Sequence, residues 1–171
     1  AMFMAGTTFG AYKFSKMHVS NISQCQGTKI KYDHPNVSIL KHPLIPMLIS
    51  KLRDPKCEGD EFRKVSDRIM HILIEEVLGN EPMKISQKTT LAGGEFDYYE
   101  LEHSIDSYCA VTIIRAGDSM LNKMFELMPG IKVGKVLVQR DETSEDKHPV
   151  FYYSKLPASI ATKRVFLLDP M

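Results

Sequence analysis

The sequence predicts an α/β protein built on a parallel sheet. Three observations carry that prediction. The runs "YCAVTII" (108–114), "VGKVLVQ" (133–139) and "VFLLD" (165–169) are largely apolar on both faces, the pattern of strands covered on each side. Between the first two stands "DSMLNKMFELMPG" (118–130), whose Met120, Met124 and Met128 recur at helical spacing and read as core. The order strand–helix–strand is that of a parallel α/β unit.

The elements follow in order. Residues 1–36 are rich in Gly, Ser, Thr, Asn and Lys without a sustained period and read as an irregular arm, with Ala1-Met2 as a remnant of cloning. In "LKHPLIPMLISKLRD", Leu44, Ile45, Leu48, Ile49 and Leu52 repeat at helical spacing behind Pro43 and Pro46, so a helix is expected. "DEFRKVSDRIMHILIEEVLGNEP" (60–82) is the clearest helix. Phe62, Val65, Ile69, Ile72, Leu73 and Val77 form its apolar face, Asp60 is the expected N-cap, and Gly79 and Pro82 stop it. "MKISQKTTLAGGEFDYYELEHS" reads as two strands around a Gly93-Gly94 turn. In the helix at 118–130, Asp118 or Ser119 is the expected cap and Pro129-Gly130 the stop. "RDETSEDKHPVFYY" reads as an exposed loop or hairpin, and "KLPASIATKR" as a polar connection with one helical turn. The pairs Tyr98-Tyr99 and Tyr152-Tyr153 alternate faces on strands, which predicts half-burial.

Composition narrows the function classes. The 171 residues suggest one domain, with 43% hydrophobic and 25% charged residues. Lys and Arg number 22 against 21 Asp and Glu, a balance that points to neither nucleic acid nor an acidic membrane as partner. No apolar run approaches the roughly 20 residues that span a bilayer, and the first residues lack the apolar stretch of a secretory signal. Cys25, Cys57 and Cys109 are too few and too scattered for a disulfide framework or a zinc site; reduced thiols in a cytosolic protein are expected. The six histidines include no close pair, against a histidine metal site.

In open α/β sheets, ligands bind beyond the carboxyl ends of the strands. Three such ends are legible: Arg115-Ala116-Gly117, Arg140-Asp141-Glu142 and Asp169-Pro170-Met171. Two arginines and one carboxylate would meet on one edge. Arginine suits fork-like binding of phosphate oxygens. Small residues after Arg115 allow close approach to the backbone, and the helix that follows would offer free N–H groups to an anion. A strand-end carboxylate can accept hydrogen bonds from a sugar diol. Each residue alone has an ordinary reading, a solvated arginine or a turn aspartate; the signal is their coincidence, which suits a sugar carrying phosphates. The last strand has no return helix, so the sequence is expected to be incomplete at its C-terminus. The alternative is a three-stranded sheet covered by the earlier helices.

"IIRAGDSM", "VGKVLVQRDET", "YYSKLP" and "LLDPM", in this order and spacing, resemble uracil phosphoribosyltransferase, and the likeness extends upstream through "KLRD" and "SDRIMHILIEEVL" over roughly residues 37–171. Asp118-Ser119 after "RAG" is similar to the eukaryotic, protozoan-type branch. The resemblance implies a type I phosphoribosyltransferase fold: a parallel sheet flanked by helices, an N-terminal arm (1–36), a β-hairpin arm, and a phosphoribosyltransferase domain from residue 37 to 171 that lacks the rest of the phosphate-binding loop and the uracil pocket. It implies transfer of ribosyl phosphate from phosphoribosyl pyrophosphate (PRPP) to uracil, giving UMP and pyrophosphate in pyrimidine salvage, with the 171-residue chain alone inactive. Arg115, Arg140 and Asp169 would be catalytic; Arg115, Ala116, Gly117, Arg140, Asp169, Pro170 and Met171 would bind PRPP. The protein itself would supply no metal ligand. Magnesium would arrive with PRPP, GTP would serve as an allosteric activator, and the protein would be a cytoplasmic homodimer or homotetramer. A non-proline cis peptide and a strained backbone are expected at the Arg115–Gly117 turn. A non-catalytic phosphoribosyltransferase-like nucleotide-binding protein is the alternative, and a PRPP-using transferase for another base is a weaker one.

Overall fold

The computed structural model describes residues 35–143 and 145–170, with the backbone of two short strands before them. In chain order the elements are β1 (Phe3–Met4), β2 (Met17–His18), β3 (Val37–Ser38), α1 (Ile45–Leu52), α2 (Gly59–Gly79), β4 (Met83–Thr89), β5 (Glu95–Leu101), β6 (Tyr108–Ile114), α3 (Gly117–Leu127), β7 (Lys132–Arg140), β8 (Pro149–Lys155) and β9 (Arg164–Leu168). One-turn 3-10 segments precede β6 at Ile105–Ser107 and β9 at Ile160–Thr162. No helix among the described residues is long and apolar enough to cross a membrane.

The three apolar runs are the parallel centre of the main sheet, whose order is β1-β9-β6-β7-β8. Thr112 of β6 lies opposite Leu168 of β9 on one side and Lys135 of β7 on the other. The carboxyl ends of β9, β6 and β7 therefore share one edge of the sheet. β1 and β8 pair antiparallel to β9 and β7, so the sheet is wider than the three strands the sequence shows. β8 falls within the segment expected to be an exposed loop or hairpin, and its Phe151, Tyr152 and Tyr153 are 61%, 56% and 45% exposed. Half-burial of that tyrosine pair is thus not observed, and Tyr99 is exposed too; only Tyr98 is partly covered, by the edge of Phe96 and by Lys88 over its ring.

The core sits on one face of the parallel strands. α3 turns Met120, Leu121 and Met124 onto Tyr108, Ala110, Phe166 and Leu168, all at most 5% exposed. The rings of Tyr108 and Phe166 stack 5.5 Å apart. Ile74, Val77 and Leu78 of α2 close the cluster. Burial of each such side chain stabilises by roughly 1.5–3 kcal/mol, and that layer holds α3 firmly against β6 and β9. A smaller cluster of Leu48, Cys57 and Val65 joins α1 to α2. Phe62, expected on the apolar face of α2, is 47% exposed, and Ile74 takes the fully buried place instead.

The expected helix caps are not used. α2 is preceded by Glu58 rather than Asp60, and α3 by Ala116 rather than Asp118 or Ser119; neither cap makes a side-chain hydrogen bond. For α3 the cause is tertiary, because the Asp118 carboxylate is held by other partners. β4 and β5 form a separate two-stranded hairpin around Gly93, whose φ of +86° suits glycine. The arm at 1–36 falls almost wholly outside the described residues, as do Cys25 and Met171.

Candidate functional site at the carboxyl edge

The turn Arg115–Gly117 joins β6 to α3 at the carboxyl edge. Its first peptide, Ile114–Arg115, is a non-proline cis bond, where the sequence led us to expect one. Arg115 and Ala116 are exposed; Gly117 is buried. A Cβ on Gly117 would lie 2.4 Å from the Leu168 carbonyl oxygen and 3.2 Å from Thr112 Cβ. Only glycine permits that approach, and it sets the start of α3 directly against the end of β9. Asp169 and Pro170 follow Leu168 and are partly buried. Arg115, Ala116, Gly117, Asp169 and Pro170 therefore form one corner.

Arg140 stands further out. The β6–β7 pairing ends at Ile114 and Leu137, while β7 runs on to Arg140, opposite Pro149 of β8. At about 3.3 Å per residue, Arg140 projects roughly 10 Å past the last pair. It is exposed on the same edge, at the base of the 141–148 hairpin tip, which is closed by the Asp141 N–H donating to the His148 carbonyl at 2.9 Å. Among the described residues neither guanidinium, nor the Asp169 carboxylate, has a hydrogen-bond or ion-pair partner. Charged groups held at strand ends without partners are open to a ligand.

The expectation of free N–H groups at the helix start needs correction. The Asp118 and Ser119 N–H groups donate to the Arg115 and Ala116 carbonyls, each at 3.2 Å, so the first turn satisfies them locally. Behind the turn lies a cluster that the sequence reading passes over. Lys135 Nζ donates to both Asp118 carboxylate oxygens at 3.0 Å, and the buried Thr112 hydroxyl donates to Oδ1 at 3.0 Å. The available signal was a lone Lys and a lone Thr inside otherwise apolar strands, residue types that stay inside a sheet only with polar partners.

No group of three or more His, Cys, Asp or Glu side chains converges among the described residues.

A mixed sheet with a parallel centre, flanked by helices and carrying an arginine-bearing turn beside a strand-end aspartate, fits the type I phosphoribosyltransferase architecture. Comparison with known proteins extends this. The family model described as uracil phosphoribosyltransferase matches residues 39–171. The chain is 35% identical over 140 residues to uracil phosphoribosyltransferase 1 of Schizosaccharomyces pombe, covering 81% of the chain and 62% of that protein. It is 39% identical over 137 residues to the uracil phosphoribosyltransferase of Dictyostelium discoideum, covering 80% and 61%. A solved structure of an Aquifex aeolicus protein superposes with a TM-score of 0.61 at 29% identity, covering 77% of this chain and 60% of that one. The chain belongs to the uracil phosphoribosyltransferase family. It spans about three fifths of the length of these relatives.

Proposed function

We propose that the protein transfers ribosyl phosphate from PRPP to uracil, giving UMP and pyrophosphate, and that the carboxyl edge of β6, β7 and β9 is its PRPP site. The observation that carries the reading is the Gly117 contact: it packs the Arg115 turn against the strand end that presents Asp169. In the reaction the bond from the anomeric carbon to pyrophosphate breaks, and a bond to uracil N1 forms as the N1 proton passes, directly or through water, to the departing pyrophosphate. Positive charge builds on the ribose and negative charge on the departing pyrophosphate. Arg115 and Arg140 donate to pyrophosphate oxygens, and their positive charge stabilises the leaving group as its negative charge develops. Asp169 accepts from ribose hydroxyls and orients the sugar. Ala116, Gly117 and Pro170 line the same ligand through their backbone. Magnesium bound with PRPP would add charge neutralisation on the pyrophosphate. GTP activation rests on the family resemblance, and no described residue is assigned to it.

The assembly is proposed as a homodimer or homotetramer. The β4–β5 register puts Met83, Ile85, Tyr99 and Leu101 on one face, and the first three are 50%, 59% and 59% exposed. A lone two-stranded hairpin is marginal in water, so a second copy covering this face is the natural support. Cytoplasmic location is proposed with the free thiols of Cys57 and Cys109, both raised in pKa chiefly by burial. The test of function is UMP formation from uracil and PRPP by the longest natural form of the protein. Formation that disappears in Arg115→Ala supports the reading; a wild-type protein that neither binds PRPP nor forms UMP overturns it.

A further inference from the structure

Lys135, Asp118 and Thr112 lie behind the Arg115 turn rather than in it. Lys135 and Thr112 face each other across the β6–β7 ladder, and both reach Asp118 in the first turn of α3. Thr112 and Asp118 thereby close the loop that carries Arg115. Gly117, next to Asp118, presses on the Leu168 carbonyl. One continuous set of contacts thus runs from β7 through β6 and the start of α3 to the end of β9, one residue before Asp169.

The charge in this set is in an unexpected place. Asp118 puts a carboxylate in the first turn of a helix whose start adjoins the proposed phosphate site, where an uncompensated negative charge would repel a polyanion. Lys135 grips both carboxylate oxygens. The pair is about two-fifths exposed on each side, and ion pairs that wet contribute little to stability. Its effect is therefore to be sought in ligand affinity.

We propose that Lys135 is a positioning residue for PRPP, acting through Asp118: it neutralises that carboxylate and locks the Arg115 turn to the central strands. The inference rests on the carboxyl edge being the PRPP site. It makes an unusual demand, that removing a second charged residue restores what removing the first destroys. Lys135→Met strands the Asp118 carboxylate beside the polyanion, whereas Asp118→Asn in the same chain removes the charge and keeps the shape.

The experiment is titration of PRPP with magnesium into the longest natural form of the protein by calorimetry, with a thermal melt of each variant. Lys135→Met is expected to weaken PRPP roughly tenfold through the stranded charge. The double variant Lys135→Met with Asp118→Asn is expected to recover most of that loss. Lys135→Arg is expected to bind within about threefold of wild type, keeping the positive charge and donors. All melts are expected within about 4 °C of wild type. A double variant as weak as Lys135→Met, or a Lys135→Met that binds as wild type, overturns the inference while leaving the PRPP site intact. A wild-type protein that does not bind PRPP overturns the site itself.

Discussion

The two ends of the same parallel strands are built on opposite rules. At the amino edge, Tyr108 and Arg164 sit side by side at the starts of β6 and β9. Arg164 Nε donates at 2.6 Å to Glu81, whose side chain is only 2% exposed. That pairing raises the Arg164 pKa. Burial, with the nearby Glu81 carboxylate adding to it, pushes the Tyr108 phenol up to about 12, and among the described residues no partner meets hydrogen-bond geometry with its hydroxyl. At the carboxyl edge, Arg115 and Arg140 are exposed and unpaired among the described residues. One end of the sheet consumes its charges internally; the other holds them in water, where they cost little and stay available. Identical residue types thus serve cohesion at one end and, in our proposal, ligand binding at the other.

Substitutions can break this contrast. The largest effect is expected from Arg115→Ala: loss of a fork-like contact to phosphate oxygens should weaken PRPP about a hundredfold, with an unchanged melt. A melt that falls with the affinity would show Arg115 to be structural after all. Glu81→Ala is the mirror image. It leaves Arg164 without its partner, and since Arg164 is 29% exposed the cost is about 2–3 kcal/mol. Denaturant unfolding should register that loss while PRPP affinity in the folded protein stays put.

Gly117→Ala should straddle the divide. The added methyl meets a backbone carbonyl, which costs about 1–3 kcal/mol in overpacking and parts the Arg115 turn from Asp169. Both stability and PRPP affinity should fall, and a change in only one would separate the corner from the core. Tyr108→Phe sharpens the amino edge alone. The folded-state value of about 12 lies above the ordinary phenol value of 10, so the neutral phenol contributes stability that is fully present below pH 10 and lost as the pH rises from 10 to 12. Wild type should lose up to about 1.4 kcal/mol per pH unit there, and Tyr108→Phe should flatten that limb. At pH 7 the substitution should be nearly neutral, because an unpartnered hydroxyl is removed.

Only the carboxyl half of this contrast could be read before the structure. "YCAVTII", "VGKVLVQ" and "VFLLD" announce themselves as continuous apolar runs, although only β6 is buried along most of its length while β7 and β9 are largely half-buried, and the parallel order alone puts Arg115, Arg140 and Asp169 on one edge. What escaped depends on partners distant in sequence. Asp118 is a capping residue by type, yet Lys135 and Thr112 claim its carboxylate. Glu81 looks like a solvated residue after a helix until Arg164, 83 positions later, is packed onto it. The hairpin formed by β7 and β8 was legible as an exposed hairpin, but the outward offset of Arg140 follows from a register that no local pattern encodes.

The contrast is tested most directly by backbone hydrogen exchange on the longest natural form of the protein, with and without PRPP and magnesium. Added protection is expected at residues 113–119 and at Leu168 and Asp169, with the amides around Tyr108 and Arg164 unchanged. Protection confined to the amino edge, or PRPP binding that leaves 113–119 unprotected, would contradict it.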